Sequence, residues 1–125
     1  MLHVKPVIGT ECEDFLRSEG AEVSCVPGVD VALYEDERII GAAHVTFAPD
    51  MAVLEGVYVT PARRGNGFGD FLTRVVMDAY TRSLPLFRVA YESEYFLKFG
   101  FKADGKGMQI NSEEIVFPSA CGGHK

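Results

Sequence analysis

The chain opens on LHVKPVI, where apolar and polar residues alternate with the two-residue period of a strand. GTECEDFLRSEG then breaks that period. Thr10 stands where a helix N-cap belongs, acidic residues fill the first turn and Gly20 is a stop, which together predict a short helix. GVDVALYEDERIIGAAHVTFAPD holds two β-rich runs separated by the charged turn Glu35-Asp36-Glu37-Arg38, the pattern of a hairpin. MAVLEGVYVT adds a third strand, which Pro61 ends. FLTRVVMDAYTRS sets Phe71, Leu72, Val75, Val76 and Ala79 on one helical stripe, with Arg74, Asp78 and Arg82 off it. LFRVAY reads as another strand, SEYFLKFG as a short helix closed by Gly100, and FKADGKGMQI with SEEIVFP as a final strand pair. This order predicts a mixed α/β fold of the α+β type, with helices covering a partly antiparallel sheet.

No repeat, low-complexity stretch or linker interrupts the pattern, so residues 1–118 read as one domain and the polar end, residues 119–125, as a flexible tail. A chain of 125 residues has room for one core, and 47% hydrophobic with 24% charged residues is the composition of an ordinary globular domain. The formal charge of -6 argues against a broad nucleic-acid surface while leaving room for a local basic patch, such as Arg63 and Arg64. No apolar stretch is long enough to span a bilayer and the first residues lack the pattern of a secretion signal, so the expected location is cytoplasmic, without a membrane partner. Cys12, Cys25 and Cys121 form no C-x-x-C pair or disulfide framework and read as free thiols.

The chemistry concentrates at RRGNGFGD, Arg63 to Asp70, between the third β-run and the apolar helix. A glycine-rich turn that enters a helix presents backbone N–H groups at the positive end of the helix dipole, where phosphate binds without a side-chain cation. Gly65, Gly67 and Gly69 allow close approach, and Arg64 can add a charge-assisted contact. No Lys-Ser or Lys-Thr pair follows these glycines, which argues against a Walker A loop. An aspartate at the third glycine position and antiparallel strands before the turn argue against a Rossmann dinucleotide fold.

LEGVYVTPARRGNGFGDFLTRVV resembles the acetyl-coenzyme A binding segment of the GNAT superfamily of N-acetyltransferases, whose hallmark is [RQ]-x-x-G-x-[GA] after a V-x-P strand end. Arg64, Gly67 and Gly69 fill the defined positions, and Val59 and Pro61 supply the preceding valine and proline. YFLKFGF is similar to the family's later F-Y-x-K-x-G-F segment. The resemblance implies acetyl-CoA as the cofactor, no metal, and an amine as the acceptor. By the same resemblance the diphosphate lies on the loop formed by Arg64, Gly65, Asn66, Gly67, Phe68, Gly69 and Asp70, and the pantetheine arm pairs along Val57, Tyr58 and Val59. The backbone N–H of Val57 or Val59 is then the oxyanion donor.

Acetyl transfer to an amine needs a group to take the acceptor's proton and one to protonate the departing thiolate. Glu55, a carboxylate in the otherwise apolar run from Met51 to Val59, is the candidate base, and His44 on the neighbouring strand is its candidate cross-strand partner. Aligning YFLKFGF on the family segment puts Phe96 at the usual tyrosine acid and Tyr95 one residue earlier, about 100° around a helix, with Tyr91 as a further substitute. Between the first two strands there is only one short helix and the segment AEVSCVPGVD. Because the resemblance implies a longer helical insert here in most members, the acceptor pocket is expected to be shallow or completed by a second subunit, as in a homodimer, with Met51, Phe47 and the Cys25-Val26-Pro27 turn as candidate lining. Two functions follow from this reading. One is an N-acetyltransferase acting on a small-molecule or peptide amine by direct attack. The other is a catalytically reduced CoA-binding module with a sensor or assembly role.

Overall fold

The computed structural model describes residues 1–118; the expected tail 119–125, with Cys121, lies outside them. Seven strands form one sheet in the order β1-β2-β3-β4-β5-β7-β6. They are β1 Leu2–Val7, β2 Val29–Glu35, β3 Arg38–Ala48, β4 Met51–Val59, β5 Leu86–Val89, β6 Lys102–Ala103 and β7 Met108–Asn111. Neighbours pair antiparallel except β4 and β5, which run parallel and are joined by the crossover helix α2, Phe68–Thr81. The first helix, α1, spans Glu11–Ser18.

The sheet is covered on both faces. Against one, Leu72, Val76 and Met77 of α2 pack on Val31, Ala43, Val45, Leu54, Phe87 and Val89, with Phe96, Phe99 and Phe101 closing the far side. Against the other, Cys12, Phe15 and Leu16 of α1 pack on Ala32, Tyr34 and Ala42. Burial pushes the Cys12 thiol up to about 12, with the charges of Asp30 and Glu11 adding to it, so this cysteine is an inert core side chain. Cys12 and Cys25 are both free, as expected.

The predicted elements form, with four differences. The buried face of α2 is Leu72, Thr73, Val76 and Met77, while Phe71 and Ala79 face solvent, so the stripe sits rotated from the expected one. Thr73 can be buried because its hydroxyl donates to the Gly69 carbonyl at 2.7 Å. Thr10 stands at the N-cap of α1, but its hydroxyl donates to the Asp14 carboxylate (3.1 Å) rather than capping the backbone. The segment Glu94–Phe99 is a 3-10 turn ended by Gly100 in the left-handed region. Finally, FKADGKGMQI forms a hairpin by itself and SEEIVFP is not its partner strand. Asp104 accepts from the N–H groups of Lys106 and Gly107, each at 3.0 Å, and so folds the turn between β6 and β7; Ser112–Glu114 is a 3-10 turn beyond it. No helix among the described residues is long and apolar enough to cross a membrane.

Candidate functional site

β4 ends at Val59, a 3-10 turn occupies Pro61–Arg63, and the glycine loop follows. Gly65 and Gly67 have φ values of 86° and 82°, and Gly67 is the N-cap of α2. These left-handed conformations are strained for any residue with a Cβ, which is why glycines stand there. A Cβ on either would meet nothing within 4 Å, so open space lies above the loop. The N–H groups from Gly65 to Asp70 find no acceptor among the described residues, so the mouth of the loop is a set of unsatisfied donors at a helix N-terminus. Arg64 is exposed and anchored; its Nε donates to the Val59 carbonyl (2.8 Å) and its guanidinium lies 5.1 Å from the Tyr58 ring centre. Arg63 is committed elsewhere, to Glu35 at 2.6 Å. Phe68 packs on the core, so only its main chain faces the loop mouth.

The strand that leads into this loop is open along half its length. β4 pairs with β5 only from Met51 to Leu54, and the last bond of that ladder is Ala90 N–H to the Leu54 carbonyl at 3.0 Å. From Glu55 to Val59 the β5 side of the strand has no partner strand among the described residues, while the β3 side pairs through to Gly41 opposite Val59. A β-bulge sits where the split begins. His44 faces Gly56 and Val45 faces Leu54, so Glu55 is the extra residue. Bulges redirect the side chain they carry.

Here the redirected side chain is the Glu55 carboxylate. It is half-buried and accepts from the Thr46 hydroxyl at 2.8 Å. It lines a cavity of about 710 Å³ on the α1 face of the sheet. The floor comprises Asp30, Ala42, Ala43, His44 and residues 55–58, and the walls are Glu13 and Leu16 of α1 with Ala21, Glu22, Val23 and Ser24 of the following loop. His44 is beside Glu55 but is not bonded to it; its ring nitrogens meet Asp30 and the Val26 carbonyl, each at 2.7 Å. Tyr58 and Thr60 both donate to Glu19, at 3.1 and 2.8 Å, tying the end of α1 to the end of β4. Met51 and Phe47 do not line the cavity: Met51 lies at the far end of β4, and Phe47 packs edge-on against Tyr80 of α2. The nearby segment contributes residues 21–24 to the lining rather than Cys25-Val26-Pro27.

The aromatic segment packs between the core and the first turn of α2. Phe96 is buried in the core, against Tyr91, Tyr95 and Phe101. Tyr95 turns its hydroxyl toward α2 and donates to the Asp70 carboxylate, which also accepts from Arg74 at 2.9 Å. Burial pushes the Tyr95 phenol up, and the bond to Asp70 raises it further. Burial would raise Asp70 too, but the Tyr95 hydroxyl and Arg74 outweigh it and hold the carboxyl below its ordinary range. The candidate acid and a candidate loop residue are thus bonded to each other across the first turn of α2. Tyr91 is partly exposed, with its phenol raised by burial.

A family model for the acetyltransferase (GNAT) family matches residues 8–101 of this chain. The chain belongs to the GNAT family. Its fold is that of the solved GNAT structures. A GNAT family acetyltransferase from Brucella melitensis in complex with acetyl-CoA superposes with a TM-score of 0.63 at 19% identity, covering 89% of this chain and 88% of that one. The YhhK protein of Escherichia coli bound to coenzyme A gives 0.65 at 16% identity, covering 89% and 98%. The ribosomal-protein-S18-alanine N-acetyltransferase of Escherichia coli gives 0.65 at 14%, covering 96% and 97%. No curated protein is significantly similar to the chain in sequence.

Acetyl-CoA is the cofactor of the GNAT family. The residues of this chain fit a ligand of that shape: unsatisfied N–H donors for a diphosphate, an unpaired strand edge for an amide-bearing arm, and a cavity beside the point where that edge begins. Thr46, Asp30 and Glu19, which bond Glu55, His44 and the end of β4, were not singled out from sequence. Only Asp30 carried a signal, as a charge in an apolar strand run.

Proposed function

We propose that this chain binds acetyl-CoA along β4 and the glycine loop and transfers its acetyl group to a primary amine held in the cavity on the α1 face. The observation that carries the reading is the Glu55 carboxylate, delivered by the bulge into that cavity at the point where β4 loses its second partner. Bound acetyl-CoA supplies an activated acetyl thioester. The N–H groups from Gly65 to Asp70 hold the diphosphate, Arg64 adds its charge, and the main chain of Val57, Tyr58 and Val59 pairs with the pantetheine amides as an added strand would. The N–H of Val57 or Val59 receives the developing oxyanion. Glu55, held by Thr46, takes a proton from the acceptor ammonium directly or through one water, leaving a neutral nucleophile.

Four carboxylates, Glu13, Glu22, Asp30 and Glu55, line the cavity, and His44 is the only basic side chain among its lining residues. Such a lining favours a cationic amine over a carboxylate-bearing one. The test is release of free thiol from acetyl-CoA against a panel of diamines, polyamines, amino acids and peptide N-termini. The expected result is turnover with the most cationic acceptors, with KM rising as salt is added. Phe96, buried at the family's usual tyrosine position, favours a second reading in which the chain binds CoA without turnover. Tight acetyl-CoA binding with no thiol released by any amine would select it.

Tyr95 serves the loop in this reading, through Asp70. A CoA thiol has an ordinary pKa of roughly 8.5, so its thiolate can leave unaided near neutrality and collect a proton from water. Tyr95→Phe should therefore change maximal turnover by less than about threefold while costing roughly 1–3 kcal/mol of stability through the lost bond to a carboxylate. Turnover and thermal unfolding measured on one preparation check both. A collapse of turnover at unchanged stability and cofactor affinity would make Tyr95 the acid.

A further inference from the structure

His44 lies between two acceptors. Its Nδ1 is 2.7 Å from Asp30 Oδ1 and its Nε2 is 2.7 Å from the Val26 carbonyl oxygen. A neutral imidazole donates from one nitrogen only, so both contacts are hydrogen bonds only when the ring carries two protons. We propose that His44 is a positioning residue: as an imidazolium it clasps Val26, two residues beyond the 21–24 wall of the acceptor cavity, to the strand floor, and loss of its proton releases that wall. Its importance for turnover rests on the acceptor reading above, whereas the clasp itself does not.

The loop depends on this contact. Among the described residues, the His44–Val26 bond is the one hydrogen bond that joins residues 22–27 to the sheet; the Val26 N–H is satisfied locally by Ser24 at 3.1 Å. The downstream end of the loop is held by shape, since a Cβ at Gly28 would come within 2.2 Å of the Val45 carbonyl oxygen. Upstream of Val26 the loop runs through Val23 and Ser24, which line the cavity. His44 also pairs with Gly56 beside the bulge, so the clasp and the Glu55 carboxylate share one patch of floor.

The charged groups around His44 all favour its cationic form. Asp30 faces it from β2 and Glu55 from β4, and Glu13 of α1 and Glu22 of the loop line the same cavity. Burial alone would lower the imidazole, but the bonds to Asp30 and to the Val26 carbonyl, with the charges of Asp30 and Glu55, raise it above the ordinary histidine value. The sign follows by linkage. With the folded value raised, the clasp contributes fully below the unfolded value of about 6.5 and is lost as pH rises through the folded one.

The full chain, labelled with nitrogen-15 and followed by long-range proton–nitrogen spectra from about pH 5.5 to 9, tests this. The expected result is a His44 ring with both nitrogens protonated at the acid end and a midpoint above about 6.5. The amide signals of Cys25, Val26 and Gly28 should move with the same midpoint, and His44→Gln should remove that step. A ring neutral throughout, or loop amides that ignore its titration, would overturn the clasp; if the variant fails to fold, the wild-type co-titration decides alone. With an amine turned over in the thiol-release assay, His44→Gln should raise the acceptor KM about tenfold at unchanged acetyl-CoA affinity, and the difference should shrink above the midpoint. An unchanged acceptor KM would overturn the positioning role. Co-titration in a protein that acetylates no amine would keep the clasp and reject the acceptor reading.

Discussion

Glu55→Gln should lower maximal turnover at neutral pH by about a hundred- to ten-thousandfold and leave acetyl-CoA affinity unchanged. The substitution is nearly isosteric, and the Thr46 hydroxyl that donates to the carboxylate can donate equally to the amide oxygen, so the bulge should survive. What is lost is the ability to accept a proton. An alkyl amine has a pKa of about 10.4, so at neutrality almost all acceptor arrives as ammonium and must lose a proton before it can attack. As pH rises toward that value the free amine becomes abundant, and the gap between wild type and variant should close. Steady-state rates over this range, at saturating acceptor, separate the base from a merely electrostatic role. A carboxylate that only attracted a cation would show its effect in acceptor KM. A deficit constant across pH would rule Glu55 out as the base.

The sheet was legible because its strands announce themselves. The hairpin of β2 and β3, the β4 run ended by Pro61 and the glycine entry to α2 all occur where the pattern of residues puts them. The loop was legible for a physical reason as well: positive φ at Gly65 and Gly67 admits few other residues, so the geometry is written in the glycines. The acceptor side was not, because two bulges leave no mark in composition. Counted back from the turn without a bulge, Asp30 would face Ala43; Ile40 is an extra residue in β3, and it moves Asp30 opposite His44. The second bulge moves Glu55 out of register, next to Thr46 and away from pairing with His44. His44 was thus found on the right strand with the wrong partner. The aromatic segment shows the same limit. A one-residue offset in YFLKFGF decides which ring is buried, and the core takes Phe96 while the Tyr95 hydroxyl finds Asp70.

Gly67→Val should weaken acetyl-CoA binding by about a hundredfold, or about 2.7 kcal/mol, in a protein that remains folded. Gly67 sits at φ 82°, a conformation that costs an L-residue roughly 1–2 kcal/mol and a β-branched one more. Two responses are open to the variant. If the backbone holds, the new side chain enters the space above the loop, where a Cβ now meets nothing within 4 Å and where a diphosphate must approach the N–H groups. If the backbone relaxes, those N–H groups no longer converge. Either way the ligand loses its seat, while Leu72, Val76 and Met77 keep α2 packed on the sheet. Gly69→Ala is the matching control. Gly69 lies within α2, and a Cβ there would make only an ordinary 3.7 Å contact with Val59, so affinity should stay within about threefold. Calorimetric titration of acetyl-CoA into both variants, with thermal unfolding to confirm that each is folded and Gly67→Ala held ready should valine melt the loop, reads the contrast directly. A folded Gly67→Val protein with wild-type affinity would move the diphosphate away from this loop and take the assignment of the strand edge with it.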